Sequence, residues 1–411
     1  MNAIELHDTS ESLRPPEGVR ALVEVAAVFS RLGCMSLGGP VAHIGYFRAE
    51  LVAKRKWLDD ARYADLVALC QFLPGPASSQ VVFALGLQRA GLLGALIASF
   101  CFTMPSALLM IAFAIGASRI GSLEHAPWLH GLKLASVAVV AQAVWGMGKK
   151  LCPDRTRITL CVAVAALVLL LPFAAVQVCA IALGGAVGYA LYRDLPLTAA
   201  EPEPHGVARH ARLGGAVLLL WAVLLALLPL LAAATQSMPL AQLDSFYRSG
   251  SLVFGGGHVV LPLLRAELVP RGWISDDQFL AGYAAAQAVP GPLFSFAAYL
   301  GTVMGKGGVS WSNGLWCLFA LFLPAWLLIG GALPFWQRVR GTRWAQAALA
   351  GANAAVVGVL LAALYSPVFS DSVHSPRELS LALVGFTALE VWRVSAGLVV
   401  LALAVAGQLL L

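Results

Sequence analysis

Charge is what this sequence has least of. Only 12% of its 411 residues are Asp, Glu, Lys or Arg, about half the share of a soluble domain. That shortage argues against an ordinary water-facing surface. Paired cysteines are lacking too: the seven present form no C-x-x-C and are odd in number. A disulfide framework or a zinc ribbon is thereby set aside, and the thiols read as small apolar filler. No G-x-x-x-x-G-K-[ST], H-E-x-x-H or G-x-S-x-G occurs, so nucleotide-driven, metalloprotease and hydrolase chemistry have no anchor. Residues 1–20 are polar, mixed in charge and without the apolar stretch of a signal peptide. The formal net charge of +6 would suggest nucleic acid in a soluble chain. Here it reads as the loop charge of a membrane protein, with no nucleic-acid partner.

Apolar residues fill the space that charge leaves. They make up 59% of the chain, and mean hydropathy is +0.80. Runs near the ~20 residues needed to span a bilayer occur at 91–117, 131–148, 213–233, 311–334 and 345–366. Blocks 157–192 and 378–411 each read as a pair of short helices. The fold expected is all-α and polytopic, with the lipid bilayer as solvent.

The same stretch occurs twice. Phe29, Arg31, Gly33, Gly38-Gly39, Arg48-Ala49-Glu50-Leu51-Val52, Arg55, Trp57, Asp60, Gln71 and Pro74-Gly75-Pro76 form one series. Phe246, Arg248, Gly250, Gly255-Gly256, Arg265-Ala266-Glu267-Leu268-Val269, Arg271, Trp273, Asp276, Gln287 and Pro290-Gly291-Pro292 repeat it in order. The offset is 217 residues, falling to 216 after a one-residue gap near Lys54. Two homologous halves in an apolar chain indicate a transporter built from structural repeats. The expected layout is a polar tail at 1–20, a first repeat at 21–192, a linker and connecting span at 193–239, and a second repeat at 240–411.

Loop charge bears on orientation. Loop 38–62 carries five Lys or Arg, its counterpart 263–277 only Arg265 and Arg271. Loop 118–130 carries only Arg119, its counterpart Arg338, Arg340 and Arg343. Loop 149–157 carries Lys149, Lys150, Arg155 and Arg157, its counterpart only Arg377. The bias reverses each time, which predicts inverted repeats turned over by the lone span at 213–233. It also predicts that segments broken at Gly38-Gly39-Pro40 and at Pro74-Gly75-Pro76 re-enter on one side. Unwound backbone at membrane depth survives only inside protein or a polar cavity, so a central cavity lined by the four breaks is expected.

The candidate binding residues cluster at those breaks. Pro-Gly-Pro stops a helix, so Ala77, Ser78, Ser79 and Leu293, Phe294, Ser295 are expected to start new ones. Their free N–H groups suit an oxyanion. Proline kinks needed only for packing are the alternative. Arg31 and Arg248 lie in apolar stretches, and arginine offers a planar fork for oxyanions. An ion pair, Arg31 with Glu24 and Arg248 with Asp244, is the alternative. Arg48, Glu50, Arg265 and Glu267 read as hairpin ties. Gln71 and Gln287 sit three residues before each PGP as potential donors. His43, Asp65 and His258 are candidates for proton coupling.

The F-x-R-x-G-x(4)-GG segment, the R-x-E-L-V stretch with its following Trp, and Q-x-x-P-G-P together resemble the chromate ion transporter family in its long-chain, two-domain form. The resemblance covers residues 21–411. It implies a bacterial inner-membrane carrier that exports chromate, driven by the proton motive force, with sulfate as a competing analogue. It implies a non-enzyme without cofactor or metal, whose partners are oxyanion, protons and bilayer, with a homodimer as a further assembly. His258 in place of Pro40-Val41 and Phe294 in place of Ser78 imply that the halves bind unequally. From the residues alone, an oxyanion importer, an anion channel and a membrane-embedded enzyme stay open.

Overall fold

The computed structural model describes residues 18–36, 39–119, 127–171, 174–192, 211–253, 257–305, 308–336 and 342–410. Among these residues the chain is helical without strands. Half one contains α1 (Val19–Met35), α2 (Gly39–Phe47), α3 (Asp60–Phe72), α4 (Ala77–Arg119), α5 (Pro127–Leu151), α6 (Arg155–Leu170) and α7 (Ala174–Leu191). The connecting helix is α8 (Ala211–Thr235). Half two contains α9 (Met238–Ser251), α10 (Val260–Leu268), α11 (Asp276–Ala288), α12 (Phe296–Val303) and α13 (Trp311–Ala332). It ends with α14 (Arg343–Ala363), α15 (Pro376–Glu390) and α16 (Ala396–Leu410). Five spans are long and apolar enough to cross a membrane, among the described residues.

The two halves use the same local devices. α4 folds back on itself at Ala90 and Gly91, whose backbone is not helical. Its first arm therefore corresponds to α12 and its second to α13. Gly86 and Gly94 let the two arms touch, as a Cβ on either would lie 2.5 Å from the other's carbonyl oxygen. The one-residue gap near Lys54 also has a structural form. Residues Arg48–Lys54 are wound as a π-helix, which absorbs one extra residue without breaking the helix. α10 in half two needs no such turn.

Polar contacts sort the helix ends into two faces. On the first, Glu24 of α1 gathers Arg55 at 3.4 Å, Trp57 Nε1 at 3.2 Å and Arg89 at 2.7 Å. The start of α1, the end of the π-turn and the end of α4's first arm thus lie together. Both broken segments leave this face and return to it. Trp336 Nε1 donates to Asp65 at 3.1 Å, and Lys149 meets Glu390 at 3.6 Å. Tyr192 donates to Asp154 at 2.9 Å, which brings the outer ends of α6 and α7 together. The backbone N–H and guanidinium of Arg157 hold that Asp154 carboxyl below its ordinary pKa.

The second face holds the start of α5, where Lys133 meets Asp277 at 2.7 Å and His130 meets Glu378 at 3.0 Å. It also holds the starts of α9 and α13, because Trp316 Nε1 donates to the Pro239 carbonyl at 3.0 Å. α8 begins near the first face, with Gly214 against Pro334 and Phe335, and ends beside α9. At ~1.5 Å per residue its 25 residues span about 37 Å. Half two therefore starts on the face opposite to half one. The repeats are inverted.

The halves also interlock. Gly184 and Gly188 of α7 lie against Ala347, Gly351 and Ala355 of α14, and Gly407 of α16 lies against Pro127 and Gly131 of α5. Small residues allow this close helix approach where lipid offers no hydrophobic drive. Each half thus gives its last hairpin to the other.

Candidate functional site at the helix breaks

Each PGP break is held by the other half. The Gly75 N–H donates to the Val253 carbonyl at 2.6 Å, and the Gly291 N–H donates to the Ser36 carbonyl at 2.8 Å. Ser36 and Val253 are equivalent residues, each at the end of the helix that precedes a glycine break. The two bonds are one bond repeated by the pseudo-twofold axis. Both glycines have positive φ, 121° at Gly75 and 104° at Gly291, a conformation that side chains other than glycine rarely adopt. Both are also enclosed. A Cβ on Gly75 would lie 2.8 Å from Gln80 Nε2 and 3.3 Å from Ala325, and one on Gly291 would lie 2.8 Å from Ser106 Oγ. Ser106 and Ala325 follow the equivalent prolines Pro105 and Pro324.

The expected helix starts are present. α4 begins at Ala77, while half two begins with a 3-10 turn at Leu293–Ser295 before α12. Ser78, Ser79 and Ser295 are buried there. Pro74, Pro76, Pro290 and Pro292 form the breaks themselves. Gly39 opens α2 with φ 77°. Gly38, Gly255 and Gly256 lie outside the described residues. The four-lined cavity takes another form: PGP backbone of one half bonds directly to the break of the other. A cavity of about 370 Å³ lies to one side of Pro74, between α3, α7 and α14, with an apolar lining that includes Phe72, Ile181 and Ala348.

The arginines are tied elsewhere. Arg31 is half-exposed and meets Glu50 at 3.7 Å. Arg248 pairs with Asp244 and meets Glu267 at 3.4 Å. The Arg31 partner is thus Glu50 rather than Glu24, which the first-face cluster takes. Arg48 bonds Asp60 at 2.7 Å and Arg265 bonds Asp276 at 2.6 Å, equivalent hairpin ties in the two halves. Gln71 is exposed; Gln287 is half-buried, and its Nε2 has no partner among the described residues. Asp65 sits near the first face with Trp336. His258 Nδ1 lies 2.8 Å from the Tyr283 hydroxyl. His43 is fully buried, with Nε2 3.2 Å from the same Ser36 carbonyl that Gly291 uses.

Sequence reasoning missed Gln80, which is fully buried and donates to the Pro74 carbonyl at 2.8 Å. It also missed Ser106, buried against Gly291 and donating to the Thr103 carbonyl at 2.9 Å. A signal existed in what the halves do not share. Ser36, His43, Gln80, Thr103 and Ser106 face Val253, Val260, Phe296, Phe322 and Ala325 in the alignment of the repeats.

The duplicated breaks define a family, and comparison identifies it. The family model described as chromate transporter matches twice, over residues 23–189 and 240–408. The chain belongs to the chromate transporter family. That is a transporter family, not one of enzymes. Similar proteins include the chromate transport protein of Pseudomonas aeruginosa, 30% identical over 86% of this chain and 82% of its own length. The chromate transport protein of Cupriavidus metallidurans is 27% identical over 88% of this chain and 86% of its own. The probable chromate transport protein of Synechococcus elongatus is 26% identical over 80% of each. No solved structure matches this chromate transporter family member.

Proposed function

We propose that this protein exports chromate across the bacterial inner membrane, driven by the proton gradient, with sulfate as a competing analogue. The observation that carries the reading is the reciprocal pair of bonds, Gly75 to Val253 and Gly291 to Ser36. It sets four interruptions of helix at the interface of two inverted halves. Interrupted helices at such an interface offer free backbone donors to an anion. Around them stand the buried hydroxyls of Ser78, Ser79, Ser106 and Ser295.

The first face is cytoplasmic in this reading. It collects Arg48, Lys54, Arg55, Arg89, Lys149, Lys150 and Arg343, against Lys133, Arg265, Arg271 and Arg377 on the second. Basic loops stay inside. Cysteine labelling tests the sidedness, with residue 122 expected in the periplasm and residue 341 in the cytoplasm. Transport is alternating access: the halves pack unequally, and the cycle exchanges their packing.

The test is uptake of labelled chromate into everted vesicles, with and without a proton gradient and excess sulfate. Saturable, gradient-dependent uptake that sulfate inhibits is expected. Flux that neither saturates nor responds to the gradient would mark a channel instead.

A further inference from the structure

Buried polar atoms that lack partners occur in both halves, and several lie on the broken segments of half one. Among the described residues these include Ser36 Oγ, His43 Nδ1, Ser79 Oγ, Gln80 Oε1 and Ser99 Oγ. All five residues are at most 2% exposed. A buried polar group left unpaired costs roughly 1–3 kcal/mol, so such groups call for a ligand. Half two has Val253, Val260, Phe296 and Leu318 at four of the five positions.

The polarity of two of these atoms is fixed by what their residues already do. A carbonyl oxygen only accepts. Gln80 therefore turns its NH₂ to Pro74, and its Oε1 is a free acceptor. His43 turns its N–H to Ser36, and Nδ1 is a second free acceptor. The serine hydroxyls can donate or accept. A fully deprotonated oxyanion has only acceptors to offer, and two fixed acceptors would repel it. An oxyanion that keeps one proton offers a donor as well. Hydrogen chromate persists near neutral pH, whereas hydrogen sulfate exists only in strong acid.

Resting on the oxyanion reading above, we propose that the half-one site takes the hydrogen oxyanion. Its O–H donates to Gln80 Oε1, and serine hydroxyls, Ser79 foremost, donate to its bare oxygens. Gln80 is then the residue that favours hydrogen chromate over sulfate. His43 Nδ1 is the second acceptor of the site. The titratable groups on the elements around His43 include Arg31 and Cys34 on α1, Glu50 on the π-turn, Tyr63 and Cys70 on α3, and Cys101 on α4. Arg31 and Glu50 pair with each other, and Tyr63 donates to the Ile44 carbonyl at 2.6 Å.

The experiment is binding of chromate and of sulfate to the purified full-length protein between pH 6 and pH 8. Affinity for total chromate is expected to weaken with rising pH, by roughly tenfold per unit once the ligand is mostly deprotonated. Sulfate affinity should be lower and flat. Gln80→Leu, which gives half one the apolar character of its counterpart in half two, should bind chromate at pH 6 no better than wild type does at pH 8. Flat chromate binding in wild type overturns the proposal while leaving the oxyanion reading intact, and needs no variant. Sulfate binding that strengthens in acid alongside chromate also overturns it, because a protein group such as His43 would then be titrating. A folded Gln80→Leu protein with the full pH dependence does the same. Absence of chromate binding at every pH would remove the oxyanion reading itself.

Discussion

The broken hairpins of the two halves share a sequence pattern but not an environment. In half two, every residue from Phe279 to Ala286 on α11 is buried, and in α9 the run Asp244–Tyr247 and Ser249–Ser251 is buried. In half one, α3 buries only Tyr63, Leu66, Leu69 and Cys70, and α1 buries a single face. Gly397 of α16 packs onto Ala288 at the end of α11. At the equivalent place, the end of α3 and α7 line a cavity instead. Two inverted repeats in unlike packings are what alternating access needs, since exchanging the packings exposes the other face. Half two is the close-packed member of the pair here, and half one is the loosely held one.

The strongest way to break this comparison is to fix it. In a background without the seven native cysteines, cysteines at Ala288 and Gly397 should join readily. A Cβ on Gly397 would lie 3.4 Å from the Ala288 Cα, which puts the two positions side by side. Oxidation should stop chromate uptake almost completely, and reductant should restore it. Uptake that continues in the cross-linked protein would show that half two never loosens.

Next in size is the arginine pair. Asp244 and Glu267 are 5% and 9% exposed, and half one has Ala27 where half two has Asp244. Arg248→Ala would leave Asp244 buried without its partner, at a cost of about 3–5 kcal/mol. Arg31 is 53% exposed, and its Glu50 keeps Arg55 at 2.8 Å. Arg31→Ala should cost less than ~1 kcal/mol. Thermal unfolding in detergent reads the difference. Equal losses would refute the unequal burial.

Smaller still is the effect of a side chain at the PGP glycines. Gly75→Val and Gly291→Val both force a β-branched residue to positive φ, for about 1–3 kcal/mol each. Their surroundings differ. At Gly75 the nearest obstacle is the far end of Gln80, a flexible side chain that can withdraw, though at the expense of its Pro74 bond. At Gly291 the obstacle is Ser106 Oγ, with its Cβ at 3.1 Å and the Gly33 carbonyl at 3.5 Å behind it. Gly291→Val should destabilise more. Gly75→Val should fold better yet lose more of the pH dependence of chromate binding, because it displaces Gln80. The reverse ranking would place the binding side chains in half two.

Much of the architecture was legible because duplication marks what both halves need. The PGP breaks rest on residues present twice, and the inverted topology showed in the reversed loop charge and the lone span at 213–233; Arg48 and Arg265 read as hairpin ties, but their partners are Asp60 and Asp276 rather than Glu50 and Glu267. The π-turn at Arg48–Lys54 was visible as a one-residue gap, though a gap alone does not say how the chain absorbs it. The roles of Arg31 and Arg248 were less legible. An intramembrane arginine and one paired to a neighbour look alike until the position of Glu50 or Glu267 in space is known. Gln80 and Ser106 were hidden for a further reason. Attention to matched residues passes over positions where one half is polar and the other apolar, and Gln80 and Ser106 lie at such positions.

The smallest expected difference lies in the hairpin ties. Arg48 and Asp60 are 62% and 63% exposed, whereas Arg265 and Asp276 are 29% and 32% exposed. Exposed pairs contribute roughly 0–1 kcal/mol, because water screens them and two long side chains must be held still. Arg48→Ala should therefore leave thermal unfolding almost unchanged. Arg265→Ala removes a less screened pair and a second contact, to Asp371 at 3.9 Å. Its cost should be larger, near the upper end of that range. Salt separates the two further, since exposed charges are screened beyond about 10 Å at 0.1 M while half-buried ones are screened less. Raising salt should erase what remains of the Arg48 effect and only reduce the Arg265 effect. Matching salt sensitivity in the two variants would mean that both ties see the same solvent, and that the looser packing of half one stops short of its hairpin ends.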